Sequence, residues 1–522
     1  MVRQSNEPVD QASVESVEIL IGDQQEEERV VADNLADEFE EDQLSELAND
    51  LIQAYDADVR SRSDWEENVK KGMELLGLKL EDMQHPFPGA CSAHHPLMIE
   101  AAVQFHAQAL KELFPANGPV KTQIVGEVNK DKEDQAHRVK DFMNYQVTEQ
   151  MEEYFDDLDQ MLFYLPIVGS CFKKVYYDSE LERPVSKFIP VTDFVVSSNT
   201  TDLRTSGRYT HVIRMPRNDF NKYVKTGHYL PSKYMSDDVD PSGDIGSDIE
   251  GVDPYNTEST DEVMTLLEIH CYETFDGIDG ADDNDDENIV ALPYVVTIDY
   301  DAETVVSIRR NWNEEDKKKA KRDWFVSYKF LPGTGFYGFG LYHMIGGLGR
   351  AATGSLRALL DSAAFANMQG GFKLKGRVTG GEMQINPGEF ADLDATVDDV
   401  NKAIMPLPFK EPSNTLFNLM TAITDAGRRF ASTADLNVGD VNPNAPVGST
   451  VALIEQGSKS FSAIHKRLHY SQGQEFKLLS KLNAEYLPES FQFSMGGTSQ
   501  TVFAKDFDDR IDVIPVSDPN IF

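Results

Sequence analysis

Leu341, Ile345, Leu348, Ala352, Leu356, Leu359 and Ala363 return every three or four residues, so the spacing predicts one long helix with a single apolar face, running to about Met368. Gly370 and Gly371 end it. A second helix, with Leu416, Met420, Ile423, Gly427 and Phe430 on one face, follows only after a glycine- and proline-punctuated, β-type module at about 372–412. Two helices therefore bracket a small insert. A loop at 433–449 then leads into a third long helix carrying Ile454, Gly457, Phe461, Ile464 and Leu468, and the tail from Phe491 alternates like a strand. No internal repeat at solenoid period is visible.

The region before this has a different grain. Met98, Ala102, Phe105, Ala109 and Leu113 recur at helical spacing after Pro96, and Pro115 closes the segment. A longer helical pattern spans about 133–165, with Val139, Phe142, Met143, Val147, Met151, Phe155, Leu158 and Leu162 on its apolar side. Gly169 marks a change of period. Strand-like runs follow at 171–177, 194–197, 209–215, 263–272, 294–298, 305–308 and 324–330, so the expected class is α+β. Two acidic stretches, 236–262 and 276–287, read as exposed loops. Residues 7–46 are acidic and poor in aromatics, and read as a mobile tail with order beginning near Ser45.

Charge narrows the function classes. The 522 residues hold 48 Lys and Arg against 89 Asp and Glu, a formal charge of -41, which excludes a nucleic-acid binder held on by bulk positive charge. At about 100–200 residues per domain the chain is too large for one core. No apolar run of about 18 residues and no apolar signal region is present, so neither a membrane span nor export is expected. Cys91, Cys171 and Cys271 are isolated and odd in number, which fits a reducing compartment.

Sites of chemistry are sparse. Gly333-Thr334-Gly335-Phe336-Tyr337-Gly338 matches G-x-G-x-x-G between a strand and a helix, but the acidic residue at about the right distance, Asp361, lies within the helix and no second parallel strand follows. A glycine turn accounts for it; a nucleotide-binding enzyme remains the alternative. His85, Cys91, His94, His95 and His106 are zinc-ligand types at irregular spacing, as in a structural cluster near a helix start. Asp238-Val239-Asp240-Pro241-Ser242-Gly243 opens like a calcium loop, yet its twelfth residue is Ile249 where a Glu is required. Lys317 to Arg322 holds five cations after three acids and reads as a solvated turn. Lys373, Lys375 and Arg377 alternate, so on a strand they share one face as candidates for phosphate or acidic-partner contact.

Several strings carry a resemblance together that none carries alone. They are Cys91-Ser92-Ala93-His94-His95-Pro96-Leu97, Ala109-Leu110-Lys111-Glu112-Leu113-Phe114-Pro115, Gly118-Pro119-Val120-Lys121, Gly169-Ser170-Cys171-Phe172-Lys173-Lys174-Val175-Tyr176-Tyr177-Asp178 and Phe336-Tyr337-Gly338-Phe339-Gly340. With them go Met405-Pro406-Leu407-Pro408-Phe409-Lys410-Glu411-Pro412-Ser413, Arg428-Arg429-Phe430-Ala431-Ser432, Asn444-Ala445-Pro446-Val447-Gly448 and Ile464-His465-Lys466-Arg467-Leu468-His469-Tyr470. From about residue 65 to 519 the chain resembles the portal, or head-to-tail connector, proteins of tailed bacteriophages, most of all those of short-tailed phages.

The resemblance implies a portal fold: an acidic disordered arm at 1–44, an α/β wing at 45–340, stem helices at 341–369 and 413–432 around a β-containing clip at 370–412, a tunnel loop at 433–449, a tunnel helix at 450–487 and a return to the wing at 488–522, with the crown absent or truncated. It implies a non-enzymatic dodecamer without cofactor or metal, located in the virion at the unique capsid vertex and assembled in the host cytoplasm. Double-stranded DNA passes through such a ring during packaging and ejection, with no sequence preference. The implied partners are terminase, a head-tail adaptor, the major capsid protein and scaffold, and no membrane. Lys373, Lys375 and Arg377 then become channel or clip contacts, and Asn437, Asp440, Asn442 and Asn444 tunnel-loop residues, where amides offer phosphates neutral hydrogen bonds or serve only turn geometry.

Overall fold

The computed structural model describes residues 34–76, 90–197, 200–232, 263–275, 278, 290–313, 316–333, 335–367, 371–373, 404–406, 411–430, 447–495, 497–508 and 510–516, and both helices and sheets build it, as an α+β protein. Among the described residues the helices are α1 (Glu41–Ser61), α2 (Ser63–Glu74), α3 (Leu97–Leu113), α4 (Lys130–Tyr145), α5 (Glu153–Val168), α6 (Arg217–Lys225), α7 (Leu341–Asn367), α8 (Asn414–Phe430) and α9 (Val447–Tyr486). The last three fall where the apolar spacing predicts them.

The acidic arm is shorter than composition suggests. Asn34 accepts the Ile308 N–H at 3.0 Å and donates to the Val306 carbonyl at 3.1 Å, and Leu35, Ala36, Leu44, Leu51 and Tyr55 are buried. The disordered reading of 34–44 is therefore corrected: apolar residues at helical spacing dock this stretch although acids surround them. Residues 1–33 lie outside the described residues.

The helix expected over 133–165 is two helices. After α4 the chain makes a π-turn, Gln146–Gln150, closed by Met151 N–H on the Gln146 carbonyl at 2.8 Å, before α5 begins. Gln146 is buried and exchanges two amide hydrogen bonds with Asn483 of α9, at 2.8 and 2.9 Å, which holds the interruption in place. Gly169 ends α5 at φ +84°, a conformation that glycine adopts without steric cost.

Two larger sheets follow. β2 (Ser170–Asp178) lies between β3 (Arg183–Ile189) and β9 (Phe325–Lys329), all antiparallel. The other runs β4 (Phe194–Val196), β5 (Tyr209–Pro216), β6 (Val263–Glu273), β7 (Leu292–Asp299) and β8 (Thr304–Arg310), also antiparallel throughout. Alternation along β6 sorts its faces: Leu267, Ile269 and Cys271 pack beside α1, while Met264 and Leu266 join Phe220 of α6. The main core gathers α2 to α5, the three-stranded sheet and the second half of α9. β1 (Val120–Ile124) pairs with β14 (Ile511–Pro515), tying the end of the described chain back to α3 and α4. Neither β1 nor β3 was legible as a strand, the first being short and the second opening on Arg183-Pro184.

Candidate functional site

α7 and α8 lie side by side, and the strands between them, β10 (Gly371–Lys373) and β11 (Ile404–Pro406), pair antiparallel, so the two helices form a hairpin. Its root is clamped by residues 90–100. Cys91 N–H donates to Asp361 Oδ1 at 2.7 Å, Arg357 Nε–H to the Ala93 carbonyl at 2.9 Å, and His95 N–H to Thr353 Oγ1 at 3.1 Å. Arg357 Nη2 also reaches His94 Nε2 at 2.9 Å. The contacts descend α7 one turn at a time as the clamp ascends.

α8 joins the same clamp. Thr424 Oγ1 donates to the Met420 carbonyl at 2.9 Å, so at 3.3 Å it accepts from His95 Nε2–H, leaving Nδ1 of that ring deprotonated. Burial, with Arg428 nearby, pushes His95 below the usual imidazole range, which fits this neutral form. Arg428 pairs with Glu100 at 3.3 Å. The close fit needs small residues: a Cβ on Gly427 would sit 2.5 Å from Leu97 Cδ2. An open cleft of about 230 Å³ at the root is lined by Arg350 and Arg357, seven residues apart on one face of α7, with His94, Thr353, Gly354, Glu74 and Leu75.

Away from the clamp contacts the hairpin carries bare apolar surface. Leu360, Phe417 and Leu419 are 43%, 54% and 52% exposed. The hairpin and α9 also depart from the acidity of the rest, with nine Lys and Arg against five Asp and Glu where the whole chain has 48 against 89.

α9 is anchored by polar groups in the core. Glu475 and Lys173 of β2, both with fully buried side chains, pair at 3.2 Å, and Lys173 Nζ stands 3.9 Å from the centre of the Tyr154 ring. Ser186 donates to Glu475 Oε1 at 2.5 Å and Tyr328 to Oε2. Burial, then the Glu475 charge, hold Tyr328 well above the usual phenol range, so it remains a donor. The sequence signal for this anchor was two lysines, Lys173-Lys174, inside an apolar strand.

The residues singled out from sequence scatter. His94, His95 and His106 meet separate partners, His106 pairing with Asp159 at 2.8 Å, and among the described residues no group of three His, Cys, Asp or Glu can hold a metal ion. His85 and the loop at 238–250 lie outside the described residues. The glycine turn is a packing device: a Cβ on Gly338 would meet the Gly169 carbonyl at 2.5 Å and one on Gly340 the Ile167 carbonyl at 2.1 Å, whereas Gly335 faces open space. Within the basic segment the solvated reading fails for Lys321, which donates to the Leu203 carbonyl at 2.9 Å. Arg322 makes an exposed pair with Glu485 at 2.6 and 3.1 Å. Lys373 lies in β10, its backbone opposite Ile404; its side chain, with Lys375, Arg377, Asn437, Asp440, Asn442 and Asn444, lies outside the described residues.

Compared with protein-family models the chain matches none, and no curated protein matches it.

Proposed function

We propose that the chain is the subunit of a portal: a ring-forming, non-enzymatic conduit for double-stranded DNA. The observation that carries the reading is the clamped helical hairpin, which exposes apolar side chains on a single copy and, together with α9, is net cationic in a chain of charge -41. Exposed Leu and Phe call for burial, and neighbouring copies of the same hairpin supply it in a ring. Cations on otherwise acidic walls give DNA weak local attraction against long-range repulsion, so that it slides. Contact with phosphates alone carries no sequence information, and a conduit must not stall on particular sequences.

On this reading the hairpin is the stem, the insert between β10 and β11 the clip that docks terminase and later the adaptor, and α9 the tunnel helix. Arg350 on the open face of α7 is a phosphate contact, with Lys373, Lys375 and Arg377 at the clip. The ring resides in the virion, built in the host cytoplasm with capsid protein and scaffold. Deleting 436–447 tests the assignment, since a tunnel loop lines the channel without building its wall. Rings should form normally while DNA packaging or retention falls; loss of ring assembly would count against it.

A further inference from the structure

The two larger sheets meet at a cluster of ionisable groups that the conduit reading does not use. Lys174 of β2 reaches across to Glu268 of β6, Nζ to Oε2, at 2.5 Å. His270 Nε2 is 2.9 Å from Glu268 Oε1, and His211 Nδ1 of β5 is 3.8 Å from Oε2. Tyr209 stacks on His270 with ring centres 4.7 Å apart, and Phe325 of β9 stands edge-on to His211, His270 and Tyr209. The remaining charged neighbour of His211, Asp193, is committed to Arg214 at 2.9 Å. Lys321 lies over the far ring, Tyr209, at 5.0 Å, with Asp323 on the same side.

The hydrogen bonds fix the protons. Trp324 Nε1–H can only donate, and it does so to Asn311 Oδ1 at 2.7 Å. That turns the Asn311 amide nitrogen toward His270 Nδ1, at 3.4 Å, so Nδ1 is the bare nitrogen and Nε2–H points at Glu268. A relay therefore runs from Trp324 through Asn311 and His270 to Glu268 and Lys174, joining both sheets. With the imidazoles neutral, one cation faces one carboxylate.

We propose that this relay is a proton-operated latch between the two sheets: a proton on His270 Nδ1 confronts the Asn311 amide donor, forces that amide to turn, and releases Trp324. The N–H bond forms on Nδ1 with a solvent proton, and no other bond breaks except hydrogen bonds. Burial, reinforced by Lys174, pushes both imidazoles below their usual range, while Glu268 draws them back up. Glu268 itself, although burial opposes its charge, is held well below the carboxylate range by Lys174 and the two rings. The latch is thus closed at neutral pH and opens on acidification.

Trp324 is its own reporter. Emission of the full-length protein minus that of Trp324→Phe isolates it, titrated from pH 7.5 to 5 with circular dichroism confirming the fold. The expected result is a reversible red shift with a midpoint below about pH 6.5. His270→Gln should abolish the shift, and Lys174→Met, which removes the cation beside both rings, should move the midpoint to higher pH. A transition that survives His270→Gln, a midpoint unmoved by Lys174→Met, or an unchanged Trp324 signal in folded protein at pH 5 would each overturn the latch. Should His270→Gln not fold, the Lys174→Met midpoint decides.

Discussion

Lys173→Met probes how α9 is held. The substitution leaves Glu475 fully buried, still accepting from Ser186 and Tyr328 but with no counter-charge, and breaking a buried pair from one side costs about 3–5 kcal/mol. The attraction between Nζ and the Tyr154 ring, 3.9 Å away, is lost as well, adding about 2 kcal/mol when desolvated. The two hydroxyl donors soften the loss, so about 3–5 kcal/mol stands as the expected total. Hydrogen exchange of amides in β2 and in the buried half of α9 reads it directly. At about 1.4 kcal/mol per decade, protection should fall by a factor between about a hundred and a few thousand. Lys173→Met with Glu475→Gln removes both charges and keeps an acceptor for the hydroxyls, and should return to within about 1–2 kcal/mol of the parent. A single variant that loses less than about 1 kcal/mol, or a double variant as damaged as the single, would refute the reasoning.

Other sites give sharper contrasts. Gly340→Ala drives a methyl into the Ile167 carbonyl and should cost about 1–3 kcal/mol in urea unfolding, while Gly335→Ala, facing open space, should stay within about 0.5 kcal/mol. Asn34→Ala orphans the buried Ile308 N–H, while the Val306 carbonyl keeps the Leu230 N–H at 2.8 Å, with an expected loss of about 1–3 kcal/mol and faster limited proteolysis within α1. Burial pushes His95, His211, His270, His343 and His469 downward, so the unfolded chain takes up these protons first as pH drops. Melting temperature should therefore fall from about pH 6.5 downward. Carboxyls raised by burial, such as Asp157 and Asp299, work in the opposite direction only at lower pH, so a flat profile between pH 7 and 5.5 would contradict the assignment.

The long helices were legible because each repeats one apolar face for many turns, a signal local to the sequence. The π-turn at Gln146 was not, since Val139, Phe142, Val147 and Met151 stay apolar on both sides of it and the cause, Asn483, lies 337 residues away. Averaged composition hid the docked start of α1, where a few apolar residues outweigh many acids. The clamp escaped for the same reason as the π-turn: Cys91, His94 and His95 read as a structural cluster near a helix start, but their partners Asp361, Thr353 and Arg357 lie more than 250 residues away on α7. The glycine turn shows the reverse, a pattern that fits a nucleotide motif locally but is consumed by backbone packing.

The conduit reading stands or falls on assembly. Native mass spectrometry of the purified full-length chain, with negative-stain imaging of the same sample, measures subunit number and symmetry together. The account predicts a closed ring of about a dozen copies with an axial hole of about 20 Å or more, wide enough for duplex DNA. A monomer or dimer at every salt concentration would contradict it.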